Sequence, residues 1–592
     1  MGFVIVLATP LFLLAIAFEW WWGWRLSRQG RPAAQTYRWD DAINSISLGV
    51  LSQLSAVFTR LFRVTLYTLV FEQVALFPQA DFWESVPGVL IALVMYDFFY
   101  YWYHRASHEV ALFWGGHVVH HQSHHYNLST ALRQTSSGVL LGWVFYLPMA
   151  VVGVTPLVFG VVALIDLLYQ FWVHTEHVGK LGWFDRWFCS PSNHRVHHAV
   201  NDVYVDRNYG GILVVWDRLF GSFTEEDADQ PCVYGARTPL NSWDPLWANV
   251  HVYRGLLHDS WHASRWRDKL MVWWRHPGWR PADLAQRSTQ ATFSLAQHQA
   301  FEPVQSRSSL QWAVGWFVLL LGATAEVLWR MDDLPWGDAA TAVLAITAGV
   351  WAVNALLQNR LTPGWCAFVQ MAAVSTAAGA CGWQEVFNLA KPLTLTLLMF
   401  VACMPNGLPT TPQTWLVRAL ALSWVGDVLL LYPGLLLPGL VAFLAAHACY
   451  FKLLSLDAPL FHSRRALMRC LLLAALVYAA LFFNGLPAPM QAPVAVYVVV
   501  ISLMAAQAWG RHVHFDNRPS AWTAWGATVF MLSDTLLAID TFVNPLPYAG
   551  LWVLSSYYLA QALMVSGLLA SLRLQAEREK KPARQPSQFN IT

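Results

Sequence analysis

Residues 104–125 read HRASHEVALFWGGHVVHHQSHH, so seven of the chain's 21 histidines fall within 22 residues. His104 and His108 are four apart, and His117, His120 and His121 have i, i+3, i+4 spacing. On helices each group projects its imidazoles from one face. A third group, His194, His197 and His198, repeats the H-x-x-H-H spacing of the second. A neutral imidazole offers a lone pair near pH 7 and suits iron, zinc, copper or nickel. These eight imidazoles are enough for two such ions. One histidine on an apolar face is more often a hydrogen-bonded core residue than a ligand. Three groups at recurring spacing argue against that reading here.

Outward from this stretch the chain is strongly apolar. Of its 592 residues 56% are hydrophobic and 12% charged, and 33 are tryptophan. The mean hydropathy is positive. That is too apolar for a soluble domain of this size, and the tryptophans suit interfacial belts. The composition predicts an all-α, polytopic integral membrane protein. The formal net charge is +2, and the basic residues lie in short loops between apolar spans, which excludes a nucleic-acid partner. Seven cysteines are scattered without a C-x-x-C pair, so they read as core filler rather than a disulfide framework or a zinc site.

Charge and span length give a topology. The first span, about 3–18, lacks a basic leader region and a small-residue cleavage site, and reads as an uncleaved anchor with its N-terminus outside. The basic loop RLSRQGRPAAQTYRW that follows (25–39) belongs to the cytoplasm by the positive-inside rule. The stretch 42–77 must then cross outward once and 86–103 must return, which delivers His104 to the cytoplasmic face. Residues 138–173, broken at Thr155-Pro156, suffice for an out-and-back hairpin that brings His174 and the third group to the same face. All three groups share one side, as a multi-histidine metal site requires. Asp206 and Glu109 are candidate acceptors for imidazole N–H groups; the alternatives are a turn cap and a solvated charge. His124 and His125 fall outside the shared spacing and are taken as polar neighbours.

From about 222 to 308 the chain turns polar, with SRWRDK, RHPGWRPADL and a Gln/Ser-rich linker. Ten apolar spans follow between 309 and 571, an even number that keeps both ends cytoplasmic. The expected division is an anchor and basic loop (1–40), a histidine domain (41–285), a linker (286–308), a second membrane domain (309–571) and a basic tail (572–592). Within the later spans lie Lys391, Asp427, His447, Asp534 and Asp540. A bilayer penalises such residues by a few kcal/mol each when unpaired, roughly, so they are functional candidates by default. WVGDVLLL (424–431) and MLSDTLLA (531–538) share x-[GS]-D-x-L-L, which reads as chance recurrence of apolar sequence or, as the alternative, a parallel internal duplication.

The set H104-RAS-H108, H117-VV-H120-H121 and H194-RV-H197-H198 resembles the fatty acid hydroxylase and sterol desaturase superfamily of membrane di-iron oxygenases, over about residues 40–285. The run YNLSTALRQ (126–134), with DFFYYWYHR, QFWVHT, DRNYGG and WDRLFGSF, resembles its alkylglycerol monooxygenase branch. The resemblance implies two iron ions under a cytoplasmic histidine-rich cap, and it adds His174 to the ligands. It implies a monooxygenase that takes O2 and a lipid from the bilayer, hydroxylates the carbon beside an ether oxygen and so cleaves the ether. It further implies tetrahydrobiopterin, although most relatives draw electrons from an external redox partner. KPLTLTLLM, LSWVGDVLLL, AFLAAHACYF, YVVVISLM, FMLSDTLLA and SYYLAQALM resemble, in order, the lysoplasmalogenase (YhhN-like) family over about 340–571. That implies hydrolysis of a vinyl-ether bond, for which Asp427 and Asp534 are the catalytic candidates as a carboxylate pair. The competing readings are a sterol or fatty-acyl hydroxylase or desaturase with a non-catalytic or transport-type second domain, and a metal-binding transporter or scaffold. The expected location is the plasma (inner) membrane, multi-pass, with the histidines cytoplasmic.

Overall fold

The structure, a computed structural model, describes residues 2–31, 35–286, 293–405 and 408–580; among these, helices form every extended element and only two isolated β-bridges occur. Ten of the helices are long and apolar enough to cross a membrane. The chain is an all-α, multi-pass integral membrane protein. It divides into two compact units, Met1–Asp333 with Val353–Arg360, and Leu334–Ala352 with Leu361–Thr592.

The first unit opens with α1 (Gly2–Arg28), α2 (Trp39–Val74), the single turn α3 (Ala80–Trp83) and α4 (Val86–Glu109). It continues with α5 (Ala111–His121), α6 (Leu128–Ala131), α7 (Gly138–Val152), α8 (Pro156–Trp172), α9 (Pro191–His198) and α10 (Val215–Phe220). The outer elements are α11 (Pro245–His262), α12 (Trp266–Trp274), α13 (Ala282–Ala285) and α14 (Arg307–Trp329). Three starts follow one rule. Ser85, Thr155 and Ser190 cap α4, α8 and α9 with their hydroxyls, each with proline in the first turn, where its missing N–H costs nothing. Thr155-Pro156, read from sequence as a break, is thus the start of α8.

The expected hairpin of 138–173 is present as α7 and α8, of 15 and 17 residues. At 1.5 Å per residue these reach roughly 22 and 26 Å, short of a hydrocarbon core of about 30 Å. The bend closes at Gly153, with φ 116°, where a Cβ would lie 2.3 Å from the Phe77 carbonyl oxygen. Leu76 and Phe77 donate backbone hydrogen bonds to Val151 and Val152 there, tying the hairpin to the chain just past α2. Tyr67, Trp83, Ala92, Tyr146, Met149 and Val158 form the core beneath.

Two features depart from the sequence reading. Helix α14, grouped by hydropathy with the later spans, packs on α1 and α2 in the first unit. Hydropathy counts spans without naming the neighbours that bury them. The described part of the polar 286–308 segment is docked rather than free. Arg38 reaches Glu302 and the Pro303 carbonyl at 3.0 and 2.9 Å, and His298 Nε2 donates to the Tyr234 carbonyl at 3.0 Å. Residues 287–292 of that segment, and 581–592 of the basic tail, lie outside the described residues.

The second unit is built from α15 (Trp336–Leu357, whose last turn falls in the first unit), α16 (Pro363–Ala380), α17 (Gln384–Cys403), α18 (Thr410–Leu429) and α19 (Leu436–Leu454). It closes with α20 (Arg464–Phe483), α21 (Ala488–Phe515), α22 (Arg518–Phe542) and α23 (Ala549–Lys580). The core between them gathers Leu395, Leu398, Leu416, Met504, Phe530 and Met564. All seven cysteines are unpaired.

Candidate metal centre and intramembrane cavity

The nine histidines singled out by sequence converge in two sets. Donor atoms of His104, His108, His117, His121 and His197 lie within 4.8 Å of one another, as do those of His120, His174, His194 and His198. Neighbouring residues feed different sets: His120 and His121 part company, as do His197 and His198. Successive helical residues differ by about 100° in direction, so α5 and α9 each lie across both sets. The sets adjoin, with the His121 and His198 rings 4.4 Å apart.

The ring nitrogens divide into outward donors and inward lone pairs. Nδ1 of His104 donates to the Tyr209 carbonyl at 2.8 Å, that of His120 to the Arg133 carbonyl at 2.9 Å, and that of His174 to the Gln170 carbonyl at 2.8 Å. Nδ1 of His197 meets the Arg207 carbonyl at 3.1 Å, and that of His108 meets Asp206 Oδ1 at 3.3 Å. A proton fixed on Nδ1 leaves Nε2 as a bare lone pair. The Nε2 atoms then crowd together: His117 stands 3.0 Å from both His104 and His121, and His174 stands 3.1 Å from both His120 and His194. Nε2 of His108, His197 and His198 is buried without any hydrogen-bond partner. Lone pairs facing lone pairs repel unless a cation lies between them, so both sets fit a metal ion. Burial, reinforced by neighbouring imidazoles, holds His117, His121, His194, His197 and His198 well below the usual histidine range. Burial pushes His120 down to about 4. These six donors are therefore unprotonated near neutrality.

Asp206, expected as an acceptor, meets His108, and residues that the sequence reading did not single out hold the rest of the arrangement. Asp206, Arg207 and Tyr209 supply acceptors to three histidines from one loop, in which Asp206 and Asn208 both have φ 56°. Asp217 accepts from the Tyr209 and Gly210 N–H groups at 2.7 and 2.8 Å, and Asp97 accepts from Ile212, Leu213 and the Trp216 indole at 2.7–3.1 Å. Arg133, almost wholly buried, donates to the Val119 carbonyl at 2.7 Å and to Asn44 Oδ1 at 2.8 Å while its own carbonyl fixes His120. Arg195 grips Glu226 through two nitrogens at 2.8 and 2.7 Å and the carbonyls of Thr175 and Val178, tying α9 to the His174 loop. Glu19 of α1 accepts from Thr175, from Leu128 N–H at 2.8 Å and from Tyr37. An isolated carboxylate in an apolar span was the available signal for Asp97 and Glu19. Glu109 pairs instead with Arg105 at 2.9 Å on a half-exposed surface, and His124 and His125 stand outside both sets.

In the second unit a cavity of about 370 Å³ brings Asp427 and Asp534 together with Lys391, Tyr497 and Tyr557, among apolar walls such as Val477, Leu481 and Val498. Asp427 accepts from the Tyr557 hydroxyl at 2.7 Å and lies 3.5 Å from the Lys391 ammonium. Asp534 accepts from the Tyr497 hydroxyl at 2.6 Å, with His447 Nε2 at 3.4 Å. Each aspartate thus has one tyrosine and one basic partner.

Comparison with known proteins agrees with this division. The fatty acid hydroxylase family matches residues 89–222, which hold all nine histidines, and the YhhN family matches residues 386–568. The human lysoplasmalogenase TMEM86B is 31% identical over 214 residues, 35% of this chain and 89% of that protein, and its rat counterpart is 34% identical over 190 residues, covering 32% and 75%. The chain belongs to the YhhN family and carries a fatty acid hydroxylase domain. To that domain the human alkylglycerol monooxygenase is similar, at 39% identity over 274 residues, 46% of this chain and 59% of that protein. The Danio rerio alkylglycerol monooxygenase is 38% identical over 275 residues, with the same coverage. The chain spans about three fifths of these relatives, at 59%. No solved structure matches. Within the YhhN region fall Lys391, Asp427, His447, Asp534 and Gln561, the last accepting from Tyr450 at 2.7 Å.

Proposed function

We propose that the chain is a bifunctional ether-lipid enzyme, a di-iron alkylglycerol monooxygenase joined to a lysoplasmalogenase. The observation that carries the first half is the pair of histidine sets whose Nε2 lone pairs converge without internal partners. Two iron ions held there would supply O2 activation for hydroxylating the carbon beside an ether oxygen, with two electrons from tetrahydrobiopterin or a redox partner, after which the hemiacetal separates into a fatty aldehyde and a glycerol derivative. The chain's own part is to orient. The carbonyls of Tyr209, Arg133, Gln170 and Arg207 fix His104, His120, His174 and His197 in one tautomer, Asp217 holds the Tyr209 backbone, and the buried Arg133 guanidinium anchors its own segment. The lipid arrives from the bilayer beside the spans. The charge pattern of the loops supports placing both sets on the cytoplasmic side of the inner membrane.

In the YhhN unit the vinyl ether is protonated on carbon, water adds to the resulting oxocarbenium ion, and the hemiacetal releases an aldehyde. We assign the acid–base pair to Asp427, which faces the Lys391 ammonium and the Tyr557 hydroxyl, and Asp534, whose partners are Tyr497 and His447. The test is lipid mass spectrometry of membranes with and without the protein, supplied with alkylglycerol and with lysoplasmalogen. Aldehyde release that needs O2 and iron from the first substrate, and neither from the second, is the expected result. Stoichiometric zinc without iron, in protein prepared with both metals available, overturns the oxygenase reading.

A further inference from the structure

The polar stretch after residue 222 folds into a helical hairpin, α11 and α12, whose two faces differ sharply. The inner face docks on the metal helix. Ala248 is buried, Asn249 Oδ1 accepts from Ser136 N–H at 2.9 Å, and the Tyr253 ring lies so close to Gly115 of α5 that a Cβ there would sit 2.7 Å away. Lys269 staples the two helices by donating to the carbonyls of Ser260 and Trp261 at 3.1 and 2.7 Å.

The outer face is apolar and open. On α11 Leu246, Val250, Leu257 and Trp261 are exposed along one stripe, and on α12 Trp266, Leu270 and Trp274 recur every fourth residue; Trp261 is 80% exposed and Trp266 81%. Every fourth residue of a helix lies on one side. Basic residues flank the stripe. Residues 245–280 hold six Lys or Arg against two Asp or Glu. Of these, Arg280 is bound to Asp259, whereas Arg254, Arg265, Arg267 and Arg275 are exposed and make no carboxylate ion pair among the described residues. Tryptophan and leucine on one side with unpaired arginines around them is the pattern of a helix lying in a membrane surface.

We propose that the α11–α12 hairpin lies in the headgroup layer of an anionic phospholipid leaflet, its Trp/Leu stripe among the acyl chains and its four arginines on lipid phosphates. A bilayer necessarily adjoins this chain, and the charge of the hairpin selects the anionic lipid. Because Tyr253 clasps α5 and Asn249 the turn before α7, seating the hairpin sets the depth of the histidine helix relative to lipids entering the metal centre.

The test uses the full chain with Cys403→Ala, in bilayers of phosphatidylcholine alone and with phosphatidylglycerol. A nitroxide on Leu270→Cys reads collisions with membrane-soluble O2 and with a water-soluble nickel chelate, the parent without that cysteine giving the background. The expected result is O2 contact exceeding nickel contact, more so with phosphatidylglycerol present. Phosphatidylglycerol retained on the purified protein, read by native mass spectrometry, should fall by about fivefold for each arginine removed as Arg254, Arg265, Arg267 and Arg275 are changed to Gln. A label equally open to the nickel chelate in both bilayers overturns the proposal. So does a label shielded from both reagents, which means a second copy or another protein covers the face, or phosphatidylglycerol retention unchanged in the four-Gln variant.

Discussion

At the scale of single residues, the histidine centre works by assigning each imidazole nitrogen a different task. On His104, His108, His120, His174 and His197 Nδ1 is spent on an acceptor and Nε2 is left for metal. Exchanging His120 or His197 for Ala removes one donor from one set each, so purified protein should carry less iron than its parent and lose O2-dependent activity while remaining inserted. Metal analysis per chain checks this. Arg133 makes a second residue-scale prediction. Its guanidinium is held by Val119, Asn44 and Ser45, and burial lowers it to about 10 while the charge of buried Asp41 opposes that fall. Arg133→Met leaves the buried Val119 carbonyl and Asn44 side chain without their charged donor, which costs about 1–3 kcal/mol. Thermal unfolding of the detergent-solubilised protein should shift down by several degrees, and Arg133→Lys should not restore it, because one ammonium cannot fill a fork of three directions.

At the scale of elements, short pieces with firm ends do the positioning. The hairpin α7–α8 is held by the turn at Gly153, whose backbone lies against Phe77. Gly153→Ala forces both a positive φ and a contact with a carbonyl oxygen, a cost of about 1–3 kcal/mol. It should raise proteolysis in the 153–155 turn and lower the yield of folded protein, while Gly255→Ala on the open side of α11 should do neither. Helix α9 is only eight residues long, and its three histidines are oriented by a serine cap at one end and Arg195–Glu226 along its side.

At the scale of the whole molecule, the histidines and the aspartates fall in separate compact units. Asp427→Asn and Asp534→Asn retain size and hydrogen bonding without the ionisable proton, so they should stop aldehyde release from lysoplasmalogen and spare O2-dependent alkylglycerol cleavage. The histidine variants should show the reverse pattern. Full vinyl-ether hydrolysis by the asparagine variants would move the assignment to Lys391 or His447. Topology has its own check. Asp202, exposed apart from a surface ion pair with Arg237, lies just past the third histidine group. A cysteine placed there should resist a membrane-impermeant reagent added outside intact cells and react once they are opened.

How much of this was legible in the sequence follows from the range of each interaction. Helices, spans and the histidine spacing are local: hydropathy and the i, i+3, i+4 pattern need only neighbours along the chain, so α4, α5, α9 and the helices of the second unit could be read directly. The intramembrane aspartates announced themselves because charge is rare in apolar spans. The partition of adjacent histidines into two sets, the loop that fixes three imidazoles, the burial of Arg133, the attachment of α14 to the first unit and the outward face of α11–α12 were decided only by the tertiary structure. Each depends on contacts between segments tens to hundreds of residues apart, such as Asp97 with Ile212 or Glu19 with Thr175. Local periodicity carries no record of such a partner. It tells which residues share a face of one helix, and packing alone tells what that face meets.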